Sequence, residues 1–256
     1  MHLGLSSLLE FYREHQADDA LVLGTVVATQ GSTYRKPGAM MLVARDNNYR
    51  GLISGGCLES DLAAQAKDVF TDGKTRNVVY DMSHGDDFAW GLGLGCDGII
   101  HLMLQRLDSD TSFGFLETLD KAWSAKNPGL LSLVTTSEDP GLPAGSFALN
   151  CGDGFESGDP VLMKSLYSQE GSQFCSGHDM SRRYWQDSID TTHGNVEMLL
   201  IPIMPPPTIL VCGAGHDAVP VARLATEMGW DCIVADHRPG FARADRFPAS
   251  CDVRVL

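Results

Sequence analysis

The sequence lacks a Cys-x-x-Cys pair, and its seven cysteines are scattered along the chain. An odd and dispersed set of this kind does not suit a disulfide framework, so we expect a reducing environment. Residues 1–15 lack the basic and apolar regions of a signal peptide. No apolar run approaches the ~20 residues that a membrane-spanning helix needs. These absences predict a cytoplasmic protein without a membrane partner.

Cationic residues are also scarce. The chain has 19 Lys and Arg residues against 33 Asp and Glu residues, which gives a net charge of −14. A protein with this charge repels polyanions, which argues against nucleic acid or an anionic membrane as the main partner. The length of 256 residues and the hydrophobic content of 43% indicate a soluble globular protein of one or two domains. A local basic pocket for a small anion is compatible with this composition.

The most informative stretch is residues 51–61, which read Gly-Leu-Ile-Ser-Gly-Gly-Cys-Leu-Glu-Ser-Asp. Gly55 and Gly56 permit a sharp turn after an apolar strand. Cys57 then stands near the N-terminus of a helix predicted over Leu58–Phe70, where free N–H groups and the helix dipole favour a thiolate. The turn indicates a reactive cysteine, and a buried structural cysteine beside a tight turn is the alternative.

A second loop, residues 30–40, contains glycines, hydroxyl side chains and two adjacent cations. The N–H groups of a glycine-rich backbone can bind an anion, and an arginine can hold phosphate or carboxylate through two hydrogen bonds. A solvated turn between strands is the alternative. The candidate anion-binding residues of this loop are Ser32, Thr33, Arg35 and Lys36.

A predicted hairpin connects the two loops. Its strands are Ala39–Ala44 and Tyr49–Ile53, and residues 46–48 supply the turn because asparagine tolerates positive φ. A short hairpin keeps its two ends close together. The loop that contains Arg35 and the turn that contains Cys57 are therefore predicted to line one site.

A third glycine-rich segment, residues 83–98, has no regular pattern. The four glycines within Gly91–Gly98 indicate unusual backbone geometry or close approach to a ligand. Gly95 and Cys96 are its candidate binding residues. His84 is the nearest candidate in sequence for acid–base chemistry beside the cysteine turn.

The rest of the N-terminal part mixes helices and strands, with a weak pattern over residues 137–183. Helices are predicted at Leu5–Tyr12, Phe113–Lys126 and Pro160–Tyr167. Strands are predicted at Ala20–Thr29, Thr75–Met82, Ile99–Leu107, Leu130–Thr136, Gly145–Asn150, Arg183–Ile189 and Val196–Ile203.

Three consecutive prolines, Pro205–Pro207, mark the best candidate for a domain boundary. A buried strand at Ile209–Cys212 follows and leads into Gly-Ala-Gly-His-Asp-Ala and a helix. This is the dinucleotide-binding pattern in the strand–turn–helix context that it requires. An acidic residue at the end of the next strand would hold ribose hydroxyls, and the arginine two positions later leaves the choice between NAD and NADP open. The candidate nucleotide-binding residues are Gly213, Gly215, His216, Asp236 and Arg238.

The predicted fold is therefore α/β. An N-terminal mixed α+β domain, residues 1–205, precedes a C-terminal Rossmann-like domain with a parallel sheet, residues 208–256. We expect the second domain to be shortened, because a complete Rossmann domain needs more strands than these residues provide. Either the chain is truncated or a partner covers the exposed edge. An unpaired edge strand promotes aggregation, so we expect a homodimer whose interface covers it.

With these motifs, the sequence resembles the XdhC/CoxI family of accessory proteins for molybdenum hydroxylases. The segments that carry the resemblance are residues 31–40, Ser54–Glu59, Gly91–Gly98, Gly213–Ala218, Asp236–Arg238 and Arg246–Pro248. Asp97 departs from the family pattern, in which a glycine is expected. The resemblance implies an N-terminal domain with the cysteine turn and a C-terminal Rossmann domain.

The resemblance also implies a function. Such proteins are thought to bind molybdenum cofactor, support its sulfuration and hand it to a xanthine dehydrogenase-like enzyme. The implied partners are a molybdenum hydroxylase apoenzyme and a cysteine desulfurase-type sulfur donor. The implied role is that of a chaperone rather than of an enzyme with turnover.

The residues suit this cargo. Molybdopterin carries a phosphate, which fits the loop around Arg35, and a metal on a dithiolene, which fits a thiolate ligand or sulfur relay at Cys57. Gly55 and Gly56 count with Cys57 among the predicted cofactor-binding residues. Glu59 is the second catalytic candidate, near the metal-bound oxo or sulfido group. Its alternative role is a first-turn carboxylate that stabilises the helix by ~0.3–1 kcal/mol.

Two other functions fit the same motifs. An NAD(P)-dependent oxidoreductase would use the Rossmann unit, with Cys57 as nucleophile or redox thiol, and would need an acid–base group such as His84. A scaffold that only holds a partner enzyme is the third function. We favour the cofactor-binding accessory protein.

Overall fold

A computed structural model describes residues 2–82, 98–108, 113–151, 156–167 and 182–256. The helices are α1 His2–Glu14, α2 Glu59–Asp72, α3 Phe113–Ser124, α4 Pro160–Tyr167 and α5 Ala218–Glu227. The first strands are β1 Ala20–Gly31, β2 Met40–Val43, β3 Tyr49–Gly51, β4 Arg76–Asp81, β5 Gly98–Asp108 and β6 Gly129–Ser137. The later strands are β7 Phe147–Asn150, β8 Glu156–Gly158, β9 Trp185–Thr191, β10 Gly194–Ile203, β11 Thr208–Cys212, β12 Asp231–Asp236 and β13 Asp252–Val255.

The first sheet is antiparallel and has the strand order β3-β2-β1-β5-β4. Helix α2 contributes Leu62, Ala66 and Val69 to the core on one face of this sheet, at the i, i+4, i+7 spacing that places side chains on one side of a helix. The helix ends at Gly73, whose φ of 71° is the left-handed conformation of a C-terminal cap. The same core contains Val22, Val26, Met41, Ile53, Ile100, Leu102 and Leu104.

The hairpin of β2 and β3 connects the two predicted site loops. Asn47 adopts a φ of 66°, as the turn prediction required, and Val43 pairs with Tyr49 on either side of it. At the other end of the hairpin, Met41 pairs with Gly51. The loop before β2 and the turn after β3 therefore leave the sheet at the same end of the two strands. The predicted hairpin is confirmed.

The second sheet is also antiparallel, with the order β8-β7-β6-β10-β9. Strands β7 and β8 have only four and three residues, which is too short for an alternating pattern to stand out in the sequence. The sequence therefore predicted β7 only approximately and missed β8. The weakly patterned middle of the chain supplies one edge of this sheet.

The C-terminal part is a parallel sheet with the order β11-β12-β13. Helix α5 contributes Ala218, Ala222 and Ala225 to a core with Cys232 and Val234 of β12. Small alanine side chains allow the helix axis to approach the sheet closely. The strand–turn–helix–strand order confirms the predicted Rossmann-like fold, and the two antiparallel sheets confirm the predicted mixed N-terminal part.

The chain divides into two compact units. One consists of Ser7–Ile203, and the other consists of Met204–Leu256 together with the first six residues. The assignment of residues 1–205 and 208–256 as domains stays a prediction. Across the described ranges, no helix combines the length and the apolar character needed to cross a membrane.

Gly51 offers a test of the hairpin. Its φ is +106°, and an added Cβ would collide with the Met40 carbonyl oxygen and lie 2.7 Å from Met41 Cα. Gly73 has a φ of +71°, but its Cβ position meets nothing within 4 Å. Gly73→Ala should lower the free energy of unfolding by ~1–2 kcal/mol, the cost of a left-handed alanine. Gly51→Ala should lower it by at least about 3 kcal/mol, because the strand must also move.

Urea unfolding of the two variants measures this difference. Equal losses in Gly51→Ala and Gly73→Ala would contradict the close approach of Gly51 to β2.

Candidate functional site

The Ser54 hydroxyl organises the cysteine turn. Its Oγ accepts hydrogen bonds from the backbone N–H groups of Gly56 at 3.1 Å, Cys57 at 3.1 Å and Leu58 at 3.2 Å. Its own proton goes to Glu59 Oε2 at 2.6 Å. One side chain therefore closes the whole turn between β3 and α2.

Glu59 holds Ser54 in turn. Its Oε1 accepts the N–H groups of Ile53 at 3.1 Å and Ser54 at 2.8 Å, and its Oε2 also accepts the Leu58 N–H at 3.2 Å. The side chain is 1% exposed. These contacts favour the alternative of a structural carboxylate at the start of α2. The catalytic role of Glu59 stays a prediction.

Cys57 lies just before α2, as predicted, and is half-buried. The N–H groups at this turn are bound by Ser54, so they do not point freely at the thiol. The first turn of α2 also carries Glu59 and Asp61, whose charges the helix dipole favours. The predicted catalytic and metal-binding roles of Cys57 stay predictions, without the free N–H groups that were expected to support them.

Asp61 connects α2 to β4. Its Oδ2 accepts a hydrogen bond from the Tyr80 hydroxyl at 2.5 Å and another from Gln65 at 2.7 Å. Burial of Tyr80, and then its bond to Asp61, raise the pKa of this phenol well above its ordinary value. Tyr80 therefore stays a neutral donor, and the start of α2 is fixed to the strand that precedes residues 83–97.

The cationic loop, residues 30–40, has two hydrogen bonds of its own side chains within the loop. The Thr33 hydroxyl donates to the Arg35 carbonyl at 2.9 Å, and Lys36 Nζ donates to Thr33 Oγ1 at 3.2 Å. Thr33 is buried, while Ser32 and Lys36 are exposed and Arg35 is half-buried. The described residues provide no ion pair for Arg35 or Lys36, although several other arginines of this acidic chain are paired. Within the described ranges, the loop therefore carries two cations without a carboxylate partner.

The two loops lie side by side, as the hairpin predicted. A Cβ placed on Gly55 would lie 3.8 Å from Cδ2 of the exposed Tyr34 ring. Gly98 pairs with Gly31, and its Cβ position is 2.6 Å from Thr33 Cγ2. The glycine-rich segment of residues 83–98 therefore ends against the cationic loop. The predicted residues Gly95, Cys96 and His84 lie outside the described residues.

The sequence missed two residues of this arrangement. Ser54 was noted only as part of the family motif, because its five-residue spacing to Glu59 is not the three-residue spacing of a helix-capping box. Tyr34 carries no signal of its own, because its place beside Gly55 results from hairpin closure. No group of three or more metal-ligating side chains is found in the part of the chain that the structure describes.

The other described cysteines differ in exposure. Cys151 and Cys232 are buried, and burial together with the neighbouring Cys232 thiol raises the pKa of Cys251 to about 11. The Cys251 thiol is therefore a poor nucleophile near neutral pH. Cys212 was predicted to be a small buried residue, but it is exposed. The prediction was wrong because the alternating burial of β11 turns Ile209 and Val211 to the core under α5 and leaves Cys212 on the other face.

The glycine turn of the Rossmann unit is held by Asp236. Oδ2 of Asp236 accepts the Ala214 N–H at 2.7 Å and Arg238 Nη2 at 2.8 Å, and Oδ1 accepts the Arg238 N–H at 2.8 Å and Nε at 3.0 Å. The Arg238 guanidinium, and then the Ala214 N–H, hold the pKa of this carboxyl far below its usual range. Both oxygens that were predicted to bind ribose hydroxyls are therefore engaged within the chain.

Two arginines complete this turn. The Arg238 guanidinium lies 4.0 Å from the centre of the Phe241 ring. Arg246 Nη1 donates to the carbonyls of Ala214 at 2.8 Å and Phe241 at 2.7 Å. Gly213 has a φ of +117° and an open Cβ position, and His216 is exposed. The nucleotide-binding roles of Gly213, Gly215, His216, Asp236 and Arg238 stay predictions.

These features define a class of protein in which a glycine–cysteine turn on an antiparallel sheet is joined to a Rossmann-like unit. A model of the XdhC and CoxI family matches residues 15–81, and a model of the XdhC Rossmann domain matches residues 209–255. These two matches confirm the resemblance to the XdhC/CoxI family that the motifs predicted.

Two relatives cover most of the chain, and a third covers about a third of it. It is 29% identical over 252 residues to a protein of Bacillus subtilis that is named as a probable xanthine dehydrogenase component, with 96% of this chain and 67% of the relative covered. It is 37% identical over 89 residues to the molybdenum cofactor insertion chaperone PaoD of Escherichia coli, with 34% of this chain and 27% of PaoD covered. A crystal structure of a xanthine dehydrogenase from Bacillus halodurans superimposes with a TM-score of 0.72 at 27% identity, over 98% of this chain and 68% of that one.

Asp236→Asn should loosen the Rossmann glycine turn. An amide cannot accept all the donors that now surround the carboxylate, so amide hydrogen exchange of Ala214 should become several-fold faster. Asp252→Asn is the matched control, because Asp252 also pairs with an arginine two positions later but is 52% exposed. It should leave Ala214 exchange unchanged.

The effect of Asp236 on stability should depend on pH. The folded-state pKa lies below the unfolded value, so the stabilisation is fully present above the unfolded pKa of ~3.9 and is lost as the pH falls through the folded pKa. The difference in melting temperature between wild type and Asp236→Asn should therefore be constant from pH 7 to about pH 5 and narrow below that. A difference that grows on acidification would contradict the assigned hydrogen bonds.

Proposed function

We propose that this chain is an accessory protein that binds molybdenum cofactor as cargo and assists its insertion into a molybdenum hydroxylase. The observation that carries the proposal is the contact of the two site loops, with Tyr34 beside Gly55. It brings the cationic loop next to a half-buried thiol. PaoD, which is similar over 89 residues, is named as an insertion chaperone for this cofactor.

The cationic loop suits the phosphate of the pterin. A phosphate needs charged donors, and Arg35 and Lys36 lack carboxylate partners among the described residues, so binding would break no ion pair seen there. Thr33 Oγ1 already contacts Lys36 Nζ and would orient it. The rest of this acidic protein would repel the anion, which concentrates binding at the loop.

The cysteine turn suits the soft end of the cargo. Thiolates prefer soft metals, and Cys57 is the half-buried thiol of this turn. Gly56 is exposed, and its Cβ position meets nothing within 4 Å, so a flat ligand can approach the backbone there. Cys57 would hold the metal end or pass sulfur to it. Gly55 and Gly56 would border the same cargo.

The partners follow from this role. The receiver would be a molybdenum hydroxylase apoenzyme, in keeping with the xanthine dehydrogenase names of two relatives. Sulfuration would need a cysteine desulfurase-type donor that presents a persulfide to Cys57. Homodimer formation and a cytoplasmic location belong to the same proposal.

The Rossmann unit gives less support to an NAD(P)-dependent oxidoreductase. Asp217 lies at the start of α5, where a dinucleotide phosphate would be placed, and its carboxylate would repel that phosphate. Asp236 would have to exchange the Ala214 N–H and Arg238 for ribose hydroxyls. We therefore assign the cargo to the cysteine turn.

Arg35→Ala should weaken binding of molybdopterin by about tenfold to a hundredfold, because hydrogen bonds to charged groups contribute ~1.5–3 kcal/mol. Arg50→Ala is the control, since Arg50 is an exposed arginine of the same hairpin that makes a long hydrogen bond to its neighbour's carbonyl. The difference between the variants should shrink at high salt, as screening weakens the contribution of Arg35. Titration followed by pterin absorbance measures the affinity of each variant at low and high salt. Equal affinities of Arg35→Ala and wild type at low salt would refute the phosphate assignment.

Cofactor should protect Cys57 from alkylation. Peptide-mapped reaction with iodoacetamide near neutral pH should be slowed several-fold at Cys57 by molybdopterin, while the exposed Cys212 reacts at an unchanged rate. Cys57→Ser should lose activation of a client apoenzyme, and Cys212→Ser should keep it. Full activation by Cys57→Ser, or equal protection of both thiols, would remove Cys57 from the proposed site.

A further inference from the structure

Building on the proposed role of Cys57, we infer that Ser54 and Glu59 are a positioning pair for this thiol. They do not touch the cargo. The pair fixes the backbone of the turn on which Cys57 stands, through the three N–H groups that converge on Ser54 Oγ.

The direction of each hydrogen bond defines the chemical state of the pair. Glu59 receives three backbone N–H groups and the Ser54 hydroxyl, so its two oxygens act only as acceptors. A carboxylate meets this requirement, whereas an amide would point its NH₂ group at one of these donors. Since the Ser54 proton is directed to Glu59, the lone pairs of Oγ face the turn. The carboxylate thus orients the hydroxyl, and the hydroxyl orients the turn.

The turn has little else to hold it. Gly55 and Gly56 are exposed, and Gly56 has a φ of +107° with no atom within 4 Å of its Cβ position. In the described structure, Ser54 Oγ is the partner of the Gly56 and Cys57 N–H groups. Among the described residues, the Cβ position of Gly55 meets only the exposed Tyr34 ring and that of Gly56 meets nothing, so the backbone of this pair has many accessible conformations. Loss of Ser54 Oγ would therefore release the Cys57 backbone while the core under α2 stays in place.

Burial separates positioning from catalysis for Glu59. At 1% exposure, with its acceptors occupied, the carboxylate has no free face for a cargo or a proton in transit. The accessible atoms of the turn belong to Cys57, which is half-buried, and to Gly56, which is open. Ser54 connects these residues to Glu59 through its hydrogen bonds. Glu59 can influence the cargo only through Ser54.

The test uses the full-length protein and the variants Ser54→Ala and Glu59→Gln. Val69→Ala is the matched control, because Val69 is a fully buried core residue of the same helix whose truncation lowers stability without touching the turn. Three quantities are measured under native conditions: amide hydrogen exchange at Gly56 and Cys57, the rate of Cys57 alkylation from pH 6 to pH 9, and the melting temperature.

Both Ser54→Ala and Glu59→Gln should speed amide exchange at Gly56 and Cys57 by about tenfold or more, as expected when a hydrogen bond is lost. Both should also increase the alkylation rate of Cys57 several-fold, because the half-buried thiol becomes more accessible. The double variant should change exchange no more than Ser54→Ala alone, since the two residues act in series. Val69→Ala should lower the melting temperature and leave exchange and alkylation at the turn unchanged.

Two results would overturn the inference. One is unchanged exchange and alkylation in Ser54→Ala. The other is a Val69→Ala variant that reproduces the full effect, which would show general destabilisation. A different result would refute the proposed function alone. Molybdopterin would then give no protection of Cys57 in wild type, while Ser54→Ala and Glu59→Gln would still change exchange and alkylation.

Discussion

The hydrogen bond between the Ser54 hydroxyl and the Glu59 carboxylate is the contact on which the N-terminal site depends. A buried carboxylate is costly unless donors surround it, and here the donors are backbone N–H groups of the turn before α2. The same carboxylate favours the start of that helix through the dipole. When α2 packs on the first sheet, these hydrogen bonds therefore fix the conformation of the glycine turn. The position of Cys57 follows from that conformation.

The hairpin is the second constraint on the site. Residues 46–48 form its turn. The pairing of Met41 with Gly51 brings the loop before β2 and the turn after β3 to the same end of the sheet. Tyr34 then lies beside Gly55, and Gly31 pairs with Gly98. Residues 30–40, the Gly55–Gly56 turn and Gly98 meet there because antiparallel pairing brings these strand ends to the same end of the sheet.

Local patterns made much of this predictable. The Asp-Asn-Asn turn, the Gly-Gly turn and the strand–turn–helix of the Rossmann unit each result from neighbouring residues, and each was found where expected. The use of the side chains was harder to predict. Glu59 and Asp236 were assigned to ligands, yet their oxygens accept hydrogen bonds from their own chain, and Cys212 was assigned to a core that covers only one face of β11. Burial and hydrogen-bond direction depend on tertiary packing, which sequence spacing does not encode.

The two units use the same device. In each, a buried carboxylate accepts backbone N–H groups from the turn that precedes a helix. Glu59, the first residue of α2, accepts three such groups, and Asp236 accepts the Ala214 N–H before α5. They differ in what the turn presents. The first turn offers a half-buried thiol beside the cationic loop, whereas the second is bordered by Asp217 and is closed by Arg238 and Arg246. The cargo proposed above, an anion with a soft metal, would therefore meet cations and a thiol at the first turn and a repulsive carboxylate at the second. Since a buried carboxylate holds each turn, we attribute the proposed preference for the first turn to the surrounding charge.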